Sequence, residues 1–478
     1  MTLPERVLPA PVMRKTKIVC TIGPKTAACE QIRQLAEGGM NVARLNMSHG
    51  TQEWHREVIA SIRRINKKFG LAIAILLDTK GAEVRTGDLK QDLALKTGDT
   101  LTLTIRHQAE LAPYTVEVSH DGFVREVAVG DIVLVDGGMI RLKVLEVTRS
   151  DVRCEVLDEG MLSSRRHLNV RGKSADLPAI TDKDWTDIDF AIAERVDFIA
   201  LSFVREAAAI TGLIGYLKEK QAPISVLAKI ESAESIPHLD EIIAASHGIM
   251  IARGDLGAEL PCEEVPLLQE EIVRKCRAAG KPVIVATHML ESMIANPTPT
   301  RAEVTDITHA VQQGADAIML SGETATGRHP LKAVAVMDAV ARRIERHLAS
   351  DTTVRVKSSS LSKEEISRSA ALLGNNLGVA GTLVITRRGL MAALLSKCRP
   401  VAPIFAFTNT THVRRRLGLY WGVQPLLVNL SSDPEVTIQR AIEKLLRRKI
   451  IGTGDRIIVL SDILAGGRFV ETIQVRII

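Results

Sequence analysis

Eight short aliphatic runs, each apolar in its body and polar where it ends, constrain most strongly how this chain can fold. They span residues 17–22, 41–46, 72–78, 197–203, 225–231, 248–253, 282–287 and 315–321. Between most of them lie stretches of helical period, such as 52–69, 182–195, 262–279 and 300–312. Eight strands alternating with helices is the count of a TIM (β/α)8 barrel. A doubly wound open sheet is the competing α/β arrangement. What each run ends in decides between them: Thr21; Arg44 and Asn46; Asp78 and Thr79; Ser202; Lys229 and Glu231; Arg253 and Asp255; Thr287; Ser321. A barrel gathers all these ends on one face, where its chemistry sits. In an open sheet the ligands cluster at the switch point, and the outer strands have no reason to end this way.

Between residues 78 and 182 the rhythm stops. Short strand patterns at 101–105, 115–119, 131–135, 140–147 and 151–156 are separated by turns such as Thr97-Gly-Asp-Thr100. This predicts an inserted all-β domain that leaves after the third barrel strand and stands over the active face as a lid. Residues 330–348 read as the closing helix and 349–361 as a linker. The remainder alternates again, with helices at 363–377, 389–398, 411–417 and 433–447. Its strands fall at 382–386, 403–407, 424–428, 456–460 and 472–477. A smaller α/β domain with regulatory or oligomeric work is expected there. The expected limits are 1–82 and 178–350 for the barrel, 83–177 for the lid and 351–478 for the C-terminal domain.

Aromatic residues make up only 3% of the chain against 46% hydrophobic, so the cores are aliphatic, as covered parallel sheets require. The same scarcity argues against a stacking platform for single-stranded nucleic acid. The net charge of +6 is scattered, and the longest basic clusters, Arg414–Arg416 and Arg447–Lys449, are short. An enzyme for small anionic substrates fits this charge, and nucleic acid is not the expected partner. The six cysteines show no CxxC spacing and read as buried thiols of a reducing cytosol. There is no signal-like N-terminal run and no apolar stretch approaching the ~20 residues of a membrane helix. A cytoplasmic protein without a membrane partner is expected.

The chemistry concentrates between Ser225 and Gly257. Alternate residues of a strand share a face, so Lys229 and Glu231 point one way and Ile230 the other. Asp255 sits just past the next strand, on a turn opening a helix. Two carboxylates at adjacent strand ends beside one lysine is how a protein holds a divalent cation against a phosphate. Arg44 offers a planar fork for phosphate. Asn46, Ser48, Asp78 and Thr79 supply oxygens with one formal charge, which suits a large monovalent cation better than Mg²⁺. Arg85, at the hinge of the lid, reaches a transferring phosphoryl group only on closure. Gly172-Lys-Ser174 resembles the end of a P-loop, but His167 stands where the first glycine is required. Neither HExxH nor GxSxG occurs.

The stretches RLNMSHG, LLDTKGAEVRTG, DLPAITDKD, AKIES, MIARGDLGAEL, ATHMLESM, PTRAEVTD and MLSGETATGRHP resemble, in order, those of the bacterial-type, three-domain pyruvate kinase family. TRRGLMAALLSKCRPVAPIFAFT and RRLGLYWGVQPLLV extend the resemblance into the C-terminal domain. It implies transfer of the phosphoryl group of phosphoenolpyruvate to ADP, giving pyruvate and ATP, the last step of glycolysis. It also implies a homotetramer with an anionic allosteric effector. Lys229 matches the lysine that offsets charge on the phosphoryl in flight. Glu231 and Asp255 match the ligands of Mg²⁺ or Mn²⁺, and the Gly254 and Asp255 amides match those that hold the substrate carboxylate. Arg44 and Arg85 match the phosphate arginines. Thr287 matches the threonine near the enolate carbon, and Ser321 a hydroxyl of the proton relay. Asn46, Ser48, Asp78 and Thr79 match the K⁺ ligands. Pro24 and His49 match positions near the nucleotide, and Arg166 stands near the nucleotide lysine of the lid. Thr386, Arg387, Arg388 and Gly389 mark the expected effector loop.

The chain departs from the family pattern at Met47, Ala82, His288, Leu390 and Met391, and over residues 461–468. At the hinge position where the family carries glutamate or lysine stands Glu83. A glutamate there adds a negative charge for a bound cation to offset, so a K⁺ requirement is expected. Two other readings compete: a metal-dependent barrel doing C–C chemistry on phosphoenolpyruvate or a keto acid, such as a lyase, and a non-catalytic effector-binding relative. The first leaves Arg85 and the oxygen set unexplained. The second expects lost catalytic residues, and none of Lys229, Glu231, Asp255 or Thr287 is lost.

Overall fold

A computed structural model describes residues 13–107, 112–170, 177–348, 362–465 and 468–478. Eight parallel strands close in chain order into a barrel: Lys17–Thr21, Val42–Asn46, Ala74–Asp78, Phe198–Leu201, Ser225–Ile230, Gly248–Ala252, Val283–Ala286 and Ala317–Leu320. The first strand pairs with both the second and the eighth, which excludes an open sheet. Val19, Val42, Leu227, Met250 and Met319 fill the inside, while Ala228 and Ile230 join the outer layer under the helices. The two-residue period therefore carries Lys229 and Glu231 inward past Leu227, as their spacing predicts.

Local chemistry sets the helix limits. Gln52–Phe69 starts where the Thr51 side chain accepts the Trp54 amide and stops at Gly70, with φ 66°. Arg301–Gln313 starts with a reciprocal Thr300–Glu303 capping box and stops at Gly314, with φ 86°.

The insertion forms a six-stranded sheet in the order Leu168–Val170, Ile132–Val135, Ile140–Val147, Asp151–Val156, Thr100–Thr104 and Thr115–Glu117. Leu93–Leu95 and Gly160–Leu162 pair beside it. It has its own core around Leu101, Val116, Phe123, Leu142 and Val152. One turn of helix, Phe123–Glu126, interrupts the all-β pattern.

The C-terminal region is a five-stranded sheet in the order Val423–Leu427, Ile404–Thr408, Gly381–Ile385, Arg456–Ala465 and Arg468–Ile477, the last antiparallel. It is seated on the barrel floor. Arg415 pairs with buried Asp197 at 2.9 Å, and Arg399 with Asp316 at 2.9 Å. The Lys17 ammonium donates to the Val423 carbonyl at 2.6 Å. Leu419, fully buried, joins the inner core of the barrel itself. The Arg414–Arg416 run thus serves an internal seam: Arg414 donates to the Gly70 carbonyl at 2.5 Å.

The cysteines correct one expectation. Cys20, Cys154, Cys276 and Cys398 are buried, but Cys29 is half-buried and Cys262 exposed, and all six are unpaired. The linker at 349–361 and the Gly172–Ser174 motif lie outside the described residues.

Candidate active site

Lys229 is the centre of the site. Its ammonium lies 2.9 Å from Asp78 Oδ1 and 2.8 Å from Glu231 Oε1, and donates to Ser202 Oγ at 2.7 Å. Strands three, four and five thereby meet at one cation. Burial alone would lower the lysine's pKa, but the two carboxylates outweigh it and hold the ammonium firmly protonated. Asp78 is fully buried; burial opposes its charge, yet Lys229 and Arg44 together keep its pKa low. Arg44 Nε donates to Asp78 Oδ2 at 2.6 Å and its Nη1 to Thr21 Oγ1 at 3.0 Å. The arginine and the lysine thus grip the two oxygens of one carboxylate.

Glu231 has its second oxygen on the Phe203 amide at 2.7 Å. Asp255, in the first turn of helix Arg253–Glu259, lies within hydrogen-bonding reach of Glu231. Burial, and then the Asp255 and Asp78 charges working against Lys229, push Glu231 up to about 7. Asp255 is likewise raised, first by burial. Two buried carboxylates forced together in this way hold a proton more tightly than usual when no cation is bound, and the same excess of negative charge makes them a good pair for a cation. Among the described residues there is no group of three or more His, Cys, Asp or Glu side chains set for a metal. The pair alone offers hard oxygen donors, leaving further positions to substrate oxygens or water.

On the other side of the mouth, Thr287 and His288 are both left-handed, with φ 66° and 55°. Consecutive non-glycine residues in that region store strain that the surroundings must hold. Arg253 supplies the brace: it pairs with Asp306 at 2.6 Å and donates to the Thr287 carbonyl at 2.6 Å. The Thr287 hydroxyl donates to the Ala286 carbonyl at 2.7 Å and accepts the Gly254 amide at 2.8 Å. His288 stands over Gly254, where an added Cβ would meet its ring at 3.2 Å. Ser321 Oγ is buried without a partner among the described residues. The Ser321 amide donates to Glu323, which also accepts the Leu290 amide at 3.0 Å and so ties the seventh and eighth strand loops together.

The lid joins the barrel at Gly81. Its φ is 76°, and a Cβ there would lie 2.7 Å from Ser202 Cβ and Phe203 Cδ2, so only glycine fits. Just beyond, the Arg85 guanidinium binds both oxygens of Glu83 and the Arg165 carbonyl. This changes the argument about Glu83, whose charge is already matched by Arg85. Alternate residues of an extended segment share a face, so positions 83 and 85 held that pairing in plain view.

Not all expected site residues converge. Asn46 and Asp78 are register partners on adjacent strands, but Asn46 Oδ1 accepts the Ser48 amide at 3.1 Å. The Thr79 carbonyl accepts the Ser202 hydroxyl at 2.7 Å, and Ser48 is exposed. Pro24 and His49 are exposed on the loops after strands one and two. Arg166 pairs with Asp136 at 3.2 Å within the lid. The expected effector loop lines a separate cavity of about 580 Å³ in the C-terminal domain, with Thr386, Arg387, Arg388, Ser431 and Thr437 in its wall. Gly389, with φ 90°, shapes the loop by donating its amide to Thr386 Oγ1 at 2.9 Å.

Sequence reasoning gave no site role to Ser202, Arg253 or Glu323. Ser202 and Arg253 were visible only as polar strand ends, and Glu323 ties in the Leu290 amide, far away in the chain.

A closed (β/α)8 barrel under an inserted β lid, with a lysine and paired carboxylates at the strand ends, defines a barrel enzyme for anionic substrates. The family profile "Pyruvate kinase, barrel domain" matches residues 13–334, and "Pyruvate kinase, alpha/beta domain" matches 364–475. Pyruvate kinase isozyme G, chloroplastic, of Nicotiana tabacum is 52% identical over 94% of this chain and 80% of its own. A pyruvate kinase of Bacillus licheniformis is 42% identical over 94% and 78%. A crystal structure of a pyruvate kinase from Cryptosporidium parvum superposes with a TM-score of 0.89 at 36% identity, covering 96% of each chain. The chain belongs to the pyruvate kinase family. It is a phosphotransferase that carries the phosphoryl group of phosphoenolpyruvate to ADP, giving pyruvate and ATP in glycolysis.

Proposed function

We propose that the charge network around Lys229 is the phosphoryl-transfer site. The observation that carries this reading is the buried ammonium shared by Asp78, Glu231 and Ser202. Phosphoryl transfer asks for positioning and charge neutralisation more than for covalent help. Lys229 and Arg44 meet the phosphoryl oxygens, and Arg85 adds to them when the lid closes. Glu231 and Asp255 would hold Mg²⁺ or Mn²⁺, and their donor set fits, being hard, buried and mutually repelled. Such an ion supplies Lewis-acid charge to the substrate oxygens. The Gly254 and Asp255 amides face the substrate carboxylate; in this structure the Gly254 amide rests on Thr287 Oγ1. Protonation of the enolate at carbon needs a donor chain, and Thr287 with Ser321 provides the hydroxyls.

Pro24, His49 and Arg166 form the nucleotide side of the site, and Asn46, Ser48, Asp78 and Thr79 are the K⁺ set. The fit to K⁺ is looser than the fit to the divalent ion, because Arg44 and Lys229 already balance Asp78. Thr386, Arg387, Arg388 and Gly389 bind an anionic effector. The assembly is a homotetramer. A cytoplasmic setting is supported by the six unpaired thiols. No described helix is long and apolar enough to cross a membrane. The domain limits after residues 82, 177 and 350 belong to the same proposal, supported by Gly81 as the crossing point. The test is ATP formation from phosphoenolpyruvate and ADP with and without Mg²⁺ and K⁺. Turnover independent of both ions would overturn the cation assignments.

A further inference from the structure

Glu259 has no part in the reaction as described, yet it sits one turn from one metal carboxylate and bonds the backbone just past the other. It closes helix Arg253–Glu259, one turn after Asp255, and residues four apart share a helix face. That face looks at the end of the fifth strand. Asp255 lies against Glu231, and Glu259 Oε2 accepts the amide of Ala233, two residues further on, at 2.7 Å. The helix is therefore pinned to segment 231–233 at both of its ends. The other Glu259 oxygen, Oε1, accepts from Asn169 Nδ2 at 3.4 Å. Asn169 lies on the lid strand Leu168–Val170, so one carboxylate spans barrel and lid.

The surroundings suit a joint that moves. A cavity of about 70 Å³ between lid and barrel is lined by Glu259, Asn169, Ser232, Glu234, His167 and Arg205, among others. This is room for water beside polar partners. Ser232, whose Oγ is buried without a partner among the described residues, is one of its walls. A carboxylate held by one short bond to the barrel and one long bond to the lid, next to water, can keep the first while the second forms and breaks.

We propose that Glu259 is a positioning residue: it fixes the separation of Glu231 and Asp255 through the Ala233 amide, and senses the lid through Asn169. The inference rests on the reading that Glu231 and Asp255 hold the divalent cation. It predicts that reach matters and charge does not. Glu259→Gln keeps an oxygen at the same distance. Glu259→Asp keeps the charge but is one methylene too short for the Ala233 amide.

The experiment is Mn²⁺ titration of the full-length enzyme by paramagnetic resonance, without substrates, beside kcat and KM for ADP. Glu259→Asp and Glu259→Ala should weaken Mn²⁺ binding about tenfold, the low end for partners that orient metal ligands. Glu259→Gln should bind it as the wild type does. Asn169→Ala should leave free-enzyme Mn²⁺ binding unchanged and raise KM for ADP about threefold, with kcat held, as for one weak hydrogen bond. The reverse pattern, with Gln impaired and Asp normal, would overturn the proposal. So would wild-type binding in both, provided that Asp255→Asn is weakened in the same assay. Wild-type binding by Asp255→Asn would instead overturn the metal-site reading beneath it. Should Glu259→Ala fail to fold, the Gln and Asp pair decides alone.

Discussion

The mouth of the barrel and the cavity of the C-terminal domain both present cationic side chains where an anion is proposed to bind, and they are built in opposite ways. At the mouth the central charges are buried and already paired: Lys229 is 10% exposed, Glu231 3% and Asp78 0%. In the C-terminal domain Arg387 and Arg388 are exposed at the edge of a cavity of about 580 Å³. A buried network is pre-organised, so the field it exerts on a reacting group costs no reorganisation. Exposed arginines on an open cavity attract and hold an anion without needing exact placement. The first arrangement suits chemistry and the second suits sensing.

The contrast predicts unequal damage. Lys229→Met should leave substrate binding largely intact and cut turnover by ~10³-fold or more, the scale of a lost electrostatic stabiliser. Steady-state kinetics check this, and near-normal turnover would erase the distinction between the two regions. Arg387→Ala with Arg388→Ala should abolish calorimetric binding of sugar phosphates or nucleotides. Basal turnover, measured without effector, should stay within about twofold, as expected for exposed residues outside the site. A basal loss comparable to that of Lys229→Met would place chemistry where only sensing is proposed.

A smaller effect concerns the hinge. Because Arg85 binds Glu83, Glu83→Lys should both release the arginine and set two cations side by side. K⁺ activation, read as initial rate against KCl at constant ionic strength, should weaken, together with the maximal rate. Full wild-type activity without K⁺ would show that Asn46, Ser48, Asp78 and Thr79 are only structural.

Much of this was legible from one rule. Strand alternation alone put Lys229 and Glu231 on one face with Ile230 opposite, and strand-end polarity alone separated a closed barrel from an open sheet. Three-residue strands such as Leu93–Leu95, Gly160–Leu162 and Leu168–Val170 carry too little period to be read. Arg253, Glu259 and Glu323 act on amides and carbonyls from 26 to 34 positions away, as with Glu259 and Ala233 or Arg253 and Thr287. Nothing local marks such contacts. The seating of Leu419 inside the barrel floor is of the same kind: its neighbours in sequence are those of an ordinary turn.

The most direct test of the central claim is Mn²⁺ affinity across pH in the wild type, Glu231→Gln and Asp255→Asn. Burial, and then the neighbouring Asp255 and Asp78 charges, raise Glu231 to about 7, so the proton and the cation compete for the same oxygens. As pH falls through about 7, wild-type Mn²⁺ affinity should fall, approaching tenfold per pH unit once Glu231 is protonated. Each variant should bind Mn²⁺ more weakly at neutral pH, and Glu231→Gln should lose the pH dependence. Unchanged affinity in both variants, or a wild-type affinity flat from pH 5 to 8 where a raised carboxylate must titrate, would contradict the account.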